Sequence, residues 1–268
     1  MIMDKTDNDQ KLGPLENPHI GQEMVVNLDK LKVYRIPVRT RLVLINEDLI
    51  HFIRQSLEGI NYSDYQLFAI SSKVVSITRG YFRKESDIKV SRLARFLVRF
   101  VKKWPDDPGY ALPEKIQMAM DMVGLPRFIF AVIGGAIMKY VFRRPGYFYI
   151  LAGKNIGGID GFVPSMYPEP LRGYGFFTPP NPWEDANFIE KEIGLPFAIL
   201  DGNNIEQVLL GYGENFREVA SKYFKKEYQR DFKNKKELNA FILKMLKGNP
   251  QGQSGNTPIL LIKILSVE

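Results

Sequence analysis

Cysteine is absent from all 268 residues. That absence excludes a disulfide framework, a thiol nucleophile and a zinc–thiolate centre. Histidine is nearly absent too: His19 and His51 are far apart and in unlike surroundings, so neither Ser–His catalysis nor a histidine metal cluster has a basis here. A bound metal would have to be held by oxygen, which favours magnesium or manganese over zinc. No glycine-rich loop ends in Lys-Ser/Thr, and no dinucleotide fingerprint follows a strand. Long hydrophobic runs are also missing. The most lipid-like stretch, Phe128 to Val141, is interrupted by Lys139 and closed by Arg143 and Arg144. It falls short of the roughly 20 residues a spanning helix needs, so it predicts a buried helix running into a strand, with no membrane span. The N-terminal stretch is polar and broken by Pro14 and Pro18, which is not a secretory signal and points to a cytoplasmic protein.

What is present suffices for a sizeable core. Hydrophobic residues make up 45% of the chain, enough for one large domain or two tightly packed lobes without metal or disulfide staples. The net charge is +7, which suits a polyanionic partner in general. No aromatic–basic interleaving marks a nucleic-acid module, so no nucleic-acid partner is expected.

Residues 1–28 read as a flexible N-terminal arm, and residues 29–268 as the folded part. The alternation in Leu31-Lys32-Val33-Tyr34-Arg35-Ile36 predicts a strand. Asn46 is placed to cap a helix bearing Leu49, Phe52, Ile53 and Leu57, with Gly59 as its stop. Tyr65 to Val75 reads as a buried strand opening into a polar loop at Ser71-Ser72-Lys73. Val90 to Trp104 is amphipathic, with Leu93, Phe96, Leu97, Phe100 and Val101 as the apolar stripe and a solvated basic face. Further helices are expected from Pro113, after Pro126, over Trp183 to Ile193, Glu214 to Tyr228 and Lys235 to Leu246. Strands are expected at Tyr147 to Ala152, Pro196 to Leu200 and Pro258 to Leu265. Residues Gly153 to Pro182 show neither period, and a long irregular segment of that kind is often functional. Alternating strands and helices predict a mixed α/β fold: a mixed sheet with helices on its faces.

Polar groups gather where apolar strands end, which is where ligands collect in such folds. The places are Ser71-Ser72-Lys73, Gly157-Gly158-Ile159-Asp160-Gly161, Asp201-Gly202-Asn203-Asn204 and the amide-rich loop from Gly248 to Asn256. Two aspartates at separate strand ends can share a divalent cation, since hard cations take carboxylate and phosphate oxygens together. Lys73 can offset phosphate charge as a point cation, and the loop can offer amides to phosphate oxygens.

The order of these segments resembles the gamma-glutamyl ligases of coenzyme F420, a deazaflavin cofactor. Ser72-Lys73-Val74-Val75-Ser76-Ile77-Thr78-Arg79-Gly80 matches that family's Ser/Gln-Lys-x-Val-Ser-Lys-Ala-Glu-Gly-like loop. Gly157-Gly158-Ile159-Asp160 matches Ala-Gly-Ile-Asp, and Asp201-Gly202-Asn203-Asn204 matches Asp-Thr-Asn-Gly. Leu238 through Gly248, then Thr257-Pro258-Ile259-Leu260-Leu261, matches a helix, a glycine-rich loop and Ile-Pro followed by valines. The resemblance covers roughly residues 31 to 268.

It implies a homodimeric ligase that depends on Mg2+ or Mn2+ and GTP and joins L-glutamate to a cofactor carboxylate, either the deazaflavin or a folate-like acceptor. By the same resemblance Asp160 and Asp201 are the catalytic metal ligands. Gln251 or Gln253 stands for the family's Glu/Gln in the loop, Gln253 being taken as the third metal ligand. Ser71, Ser72, Lys73, Gly248, Asn249, Gln251, Gly252 and Gln253 would contact the nucleotide. This chain departs from the family pattern at Ile77, where a second lysine is expected, at Val163 in place of asparagine, and at Gly202 in place of threonine. Those departures support an alternative, a member without catalysis that serves as a nucleotide- or phosphate-binding or regulatory module.

Overall fold

The alternation that begins at Leu31 marks the longest strand of a seven-stranded mixed sheet. In a computed structural model of the chain, the described residues are 12–15, 23–101, 111–153, 156–162, 167, 169–202, 207–248, 250–252 and 256–267. In chain order the strands are β1 (Gly13–Pro14), β2 (Val25–Asn27), β3 (Leu31–Arg39), β4 (Leu67–Ser71), β5 (Phe82–Lys84), β6 (Asp160–Gly161), β7 (Tyr174–Phe176), β8 (Phe197–Gly202), β9 (Gln207–Tyr212) and β10 (Ile259–Ser266). The α-helices are α1 (Leu49–Ser56), α2 (Ser72–Thr78), α3 (Arg92–Leu97), α4 (Pro113–Val123), α5 (Leu125–Tyr140), α6 (Tyr147–Ala152), α7 (Pro182–Ile193), α8 (Glu214–Tyr228) and α9 (Lys235–Met245). The chain divides into two units, one of residues 1–43, 47–75 and 181–268, the other of 44–46 and 76–180.

The first unit holds the seven-stranded sheet, in the order β1-β3-β10-β4-β8-β9 with β2 also on β3. Its pairings are antiparallel except β4 with β8, which run parallel with Ser71 opposite Leu200. Successive side chains of a strand point to opposite faces. Leu67 and Ala69 of β4 and Leu260 and Ile262 of β10 therefore meet α8 and α9 through Phe216, Phe224, Phe241 and Ile242. The intervening Phe68, Ile70, Ile199 and Leu261 are equally buried on the other face, where Phe68 stacks on Phe197 and α7 packs on β8 and β9. A sheet covered on both faces explains why these strands read as continuous apolar runs.

Buried charges tie this unit together, Glu190 and Arg35 among them. The Glu190 carboxylate accepts from the backbone N–H of Phe197 at 3.0 Å and from those of Asn215 and Phe216 at 2.8 Å. The last two belong to the first turn of α8, which has no intrahelical acceptor for them. Burial pushes the Glu190 pKa up, and the three backbone donors pull it back. Arg35, fully buried in β3, donates to the carbonyls of Lys247 and Glu23. Burial lowers its pKa to about 10, against the opposing pull of Glu23.

The second unit is helical around one small sheet, β5-β7-β6, antiparallel throughout. Its core joins Ile116, Ala119 and Met120 of α4 to Phe128 and Ala131 of α5, with Ala152 and Ile156 beyond. Gly134 and Gly135 of α5 let α6 come close: a Cβ on Gly135 would stand 3.0 Å from the backbone of Phe148.

The mixed α/β fold with helices on the sheet agrees with the sequence reading, as do α4, α7, α8, α9, β8 and β10 to within a residue or two. Several local expectations are corrected. Asp48, not Asn46, caps α1, its Oδ1 accepting from His51 N at 2.7 Å, while Asn46 sits two residues early with a left-handed φ of 60°. Ser72 and Lys73 open α2 instead of a loop, because Val74, Val75 and Ile77 are buried at helical spacing. Tyr147 to Ala152 is a helix, not a strand. A six-residue apolar run carries no decisive period, and packing against the glycines of α5 decides it. Within the expected N-terminal arm, β1 and β2 pair with β3.

The basic amphipathic helix is shorter than expected. Capped by Ser91, α3 gives way after Leu97 to a 3-10 turn over Val98–Phe100, and Phe96 and Phe100 are exposed instead of facing a core. The two exposed rings pack edge to face on each other, their centroids 5.2 Å apart. The expected buried helix after Pro126 is also largely exposed: in α5 only Phe128 and Ala131 are buried.

Candidate functional site

β4 passes into α2 without a loop, which places Ser71 and Ser72 at the carboxyl end of the parallel pair β4–β8. Strand ends of this kind are where α/β sheets receive ligands. Asp201 stands at the corresponding end of β8, and the hydroxyl of buried Ser72 donates to its Oδ1 at 3.0 Å. Ser71 Oγ accepts from Lys73 N at 3.3 Å.

The C-terminal loop reaches the same place. Ser71 N donates to the carbonyl of Pro258 at 2.8 Å, and Gln251 Nε2 donates to that same carbonyl at 2.7 Å. Gly252 N donates to Thr257 Oγ1 at 2.9 Å, closing the loop just before β10. Three of the four strand-end segments singled out in the sequence, at 71–73, 201 and 251–252, thus meet at one end of the first unit's sheet. Gly248 is held differently: its carbonyl accepts from Glu23 N at 3.4 Å, next to the Arg35 contact with Lys247. Asn249, Gln253, Asn203, Asn204 and Val163 lie outside the described residues.

Asp160 belongs to the second unit, on β6 opposite Phe176. Its Oδ1 accepts from Gly161 N at 2.7 Å, and its Oδ2 accepts from the Tyr167 hydroxyl. The ammonium of buried Lys115, on α4, lies 4.0 Å from Oδ1. Asp160 is therefore a carboxylate with a nearby cation and two hydrogen-bond donors. Ile77, in the position of the family's second lysine, is 1% exposed in α2 and offers nothing to a ligand.

Among the described residues no group of three or more Asp, Glu or His side chains could hold a metal ion. The ligating groups shown at Asp201 are nonetheless oxygen: its own carboxylate and the Ser72 hydroxyl, with the Ser71 hydroxyl on the preceding residue. Magnesium is commonly held by one or two carboxylates with substrate phosphates and waters completing the shell, so this donor set fits such an ion. A separate surface pocket of about 380 Å³ in the second unit is lined by Arg83, Lys84, Asp87 and Tyr174 among others, and by none of the strand-end residues.

Sequence reasoning passed over Thr257, Lys115 and Tyr167. Thr257 was read only as part of a motif, yet it is fully buried and closes the loop through two hydrogen bonds with Gly252. Lys115 lies in a run buried from Lys115 to Met120, but its sequence neighbours Glu114 and Gln117 are polar and do not announce that burial. Tyr167 follows Asp160 through an aperiodic stretch and carries no signal either. No family profile matches the chain, and no curated protein is significantly similar to it.

Proposed function

We propose that this chain is an amide-forming ligase of the gamma-glutamyl type, using GTP and a divalent cation to activate a carboxylate and join it to the amine of L-glutamate. The observation that carries the reading is the Ser72–Asp201 hydrogen bond, with the Gln251–Gly252 loop tied to the same strand end. Residues remote in sequence converge there as a nucleotide-phosphate site requires. A Mg2+ or Mn2+ ion at Asp201 would supply charge neutralisation for the phosphate oxygens.

The chain's own groups have separable tasks. Ser72 fixes the rotamer of Asp201, so that its charge is aimed before a ligand arrives. Lys73, on the turn that Ser71 closes, supplies the positive charge for the transferring phosphoryl group. In the reaction the γ-phosphoryl group moves to an acceptor carboxylate oxygen, leaving GDP. The glutamate nitrogen then bonds to the acyl carbon, the carbon–oxygen bond to phosphate breaks, and the amine releases a proton. The acceptor is the deazaflavin carboxylate or a folate-like carboxylate, and the active form is a homodimer.

The test is phosphate release from GTP by the purified chain with L-glutamate, Mn2+ and each acceptor. Release that needs all four, and that Asp201→Asn removes while the fold persists, supports the reading. Release indifferent to acceptor and glutamate counts against it.

A second reading rests on Asp160 and Ile77. A carboxylate already held by Lys115 and Tyr167, together with a buried isoleucine in the position where a lysine would meet phosphate, suits a nucleotide- or phosphate-binding module without catalysis. Calorimetry in which GTP binds equally well without a divalent cation, and with no turnover, supports this second reading over the first.

A further inference from the structure

Helix α5 presents its apolar side chains to solvent. Leu125, Ile129, Ile133 and Ile137 follow one another at intervals of four residues, so they form one stripe, with Phe130 and Tyr140 beside it. All six are exposed, Phe130 at 62% and Tyr140 at 75%. The chain continues through exposed Val141 and Phe142 into α6, where Ile150 is 68% exposed. Isolated surface leucines need no explanation, but a continuous patch of this kind marks an interaction site.

Along the segment that carries the patch, the charge has one sign. From Met122 to Ile159 the sequence contains Arg127, Lys139, Arg143, Arg144 and Lys154 and no aspartate or glutamate. Lys139, Arg143 and Arg144 are exposed at the end where α5 turns toward α6. The same unit holds a second acid-free segment, Lys89 to Val101, in which exposed Phe96 and Phe100 alternate with Arg92, Arg95 and Arg99.

We propose that the α5–α6 hairpin is a monotopic membrane anchor that seats its apolar face in the headgroup–acyl boundary of an anionic lipid surface. Charge selects this occupant over a second copy of the chain. A symmetric interface places the same patch on both subunits, which would bring the basic ends together without a single acid from either hairpin to offset them. Anionic headgroups supply the missing negative charge, and exposed Tyr140 and Phe142 between the basic residues suit the membrane interface.

The geometry specifies lying in the membrane surface over crossing it. Sixteen residues of α5 rise about 24 Å, less than the roughly 30 Å hydrocarbon core. Among the described residues no single helix is long and apolar enough to cross a membrane, and α4 meets α5 at a bend of 115°. Gly134 and Gly135 hold α6 against α5, so the hairpin enters as one rigid wedge: a Cβ on Gly134 would stand 2.5 Å from Leu151 Cδ1. This inference does not depend on the ligase reading.

The test is flotation of the whole chain with vesicles of phosphatidylcholine alone and with about a quarter phosphatidylglycerol, at low and high salt. The expected result is binding to the anionic vesicles, weakened by salt. Both Ile133→Asp and the double change Arg143→Glu with Arg144→Glu should weaken it by about tenfold or more. These positions are exposed, so the variants should keep the wild-type circular dichroism. A Phe130→Trp variant should show blue-shifted emission on anionic vesicles and quenching by brominated lipid. Absence of vesicle binding overturns the proposal, as does equal binding to neutral vesicles. Binding that responds to charge reversal but not to Ile133→Asp, without a tryptophan shift, reduces it to bare polyanion attraction and overturns insertion. A dimer that Ile133→Asp dissociates, with no vesicle binding, makes the face a protein interface instead.

Discussion

Ser72 donates its hydroxyl to Asp201 Oδ1 at 3.0 Å across 129 residues of sequence. The contact joins the ends of two parallel neighbours, β4 and β8, and fixes where the negative charge of Asp201 points. Ser72→Ala should cost about 1 kcal/mol of stability and weaken divalent-dependent nucleotide binding, read by denaturant unfolding and calorimetry. Asp201→Asn keeps an acceptor for Ser72 while losing the charge, so it should leave the melting temperature of the free protein nearly unchanged. Stabilisation by GTP with Mn2+ should disappear in that variant.

Glu190 holds the start of α8 and the start of β8 at once, through three backbone N–H groups. Removing it leaves buried donors without an acceptor. Glu190→Ala should therefore destabilise the protein by about 2–4 kcal/mol, measured by urea unfolding. Glu190→Gln, which retains one acceptor oxygen, should cost less.

Glu237, at the start of α9, offers a pH-dependent contribution. Its hydrogen bond from Arg230, then that from Lys233 N, lowers its pKa to about 2 from 4.5. Since the folded value is depressed, the contribution is complete above pH 4.5 and declines as pH falls toward 2. In Arg230→Met the Glu237 carboxyl should titrate nearer 4.5, followed by NMR of the side-chain carbon, and the acid side of the stability profile should flatten.

Gly135 faces Phe148 so closely that a side chain must separate α5 from α6. Gly135→Val should destabilise the second unit by about 1–3 kcal/mol through overpacking. Hydrogen exchange should accelerate in 125–152, with the strands of the seven-stranded sheet unaffected.

Much of the first unit was legible because its strands are buried on both faces or alternate strictly, as at Leu31 to Ile36, and because its helices carry plain boundary residues such as Gly194, with φ of 79°. The strand-end residues were legible through a related pattern: Ser71 and Asp201 close short apolar runs and are followed by polar residues or glycine, although the helix that Ser72 opens was not foreseen. Short edge elements were not. β1, β2 and β9 owe their existence to pairing partners that a local pattern does not contain. The strand expected at Tyr147 failed for the same reason, since the glycines that make it a helix lie in α5. The exposure of α5 was hidden because hydropathy reports composition and not whether anything covers it. The contacts of Asp160 were hidden because Lys115 and Tyr167 approach it from separate segments.

The most direct measurement is Mn2+ binding by electron paramagnetic resonance, titrated with and without GTP, in the wild type and in Asp201→Asn. The expected result is a bound ion in the wild type whose affinity rises with GTP, and at least a tenfold loss in Asp201→Asn, corresponding to about 1.4 kcal/mol or more. Equal binding by both proteins, or GTP binding untouched by the ion, would contradict the assignment of Asp201 to the phosphate-bound cation.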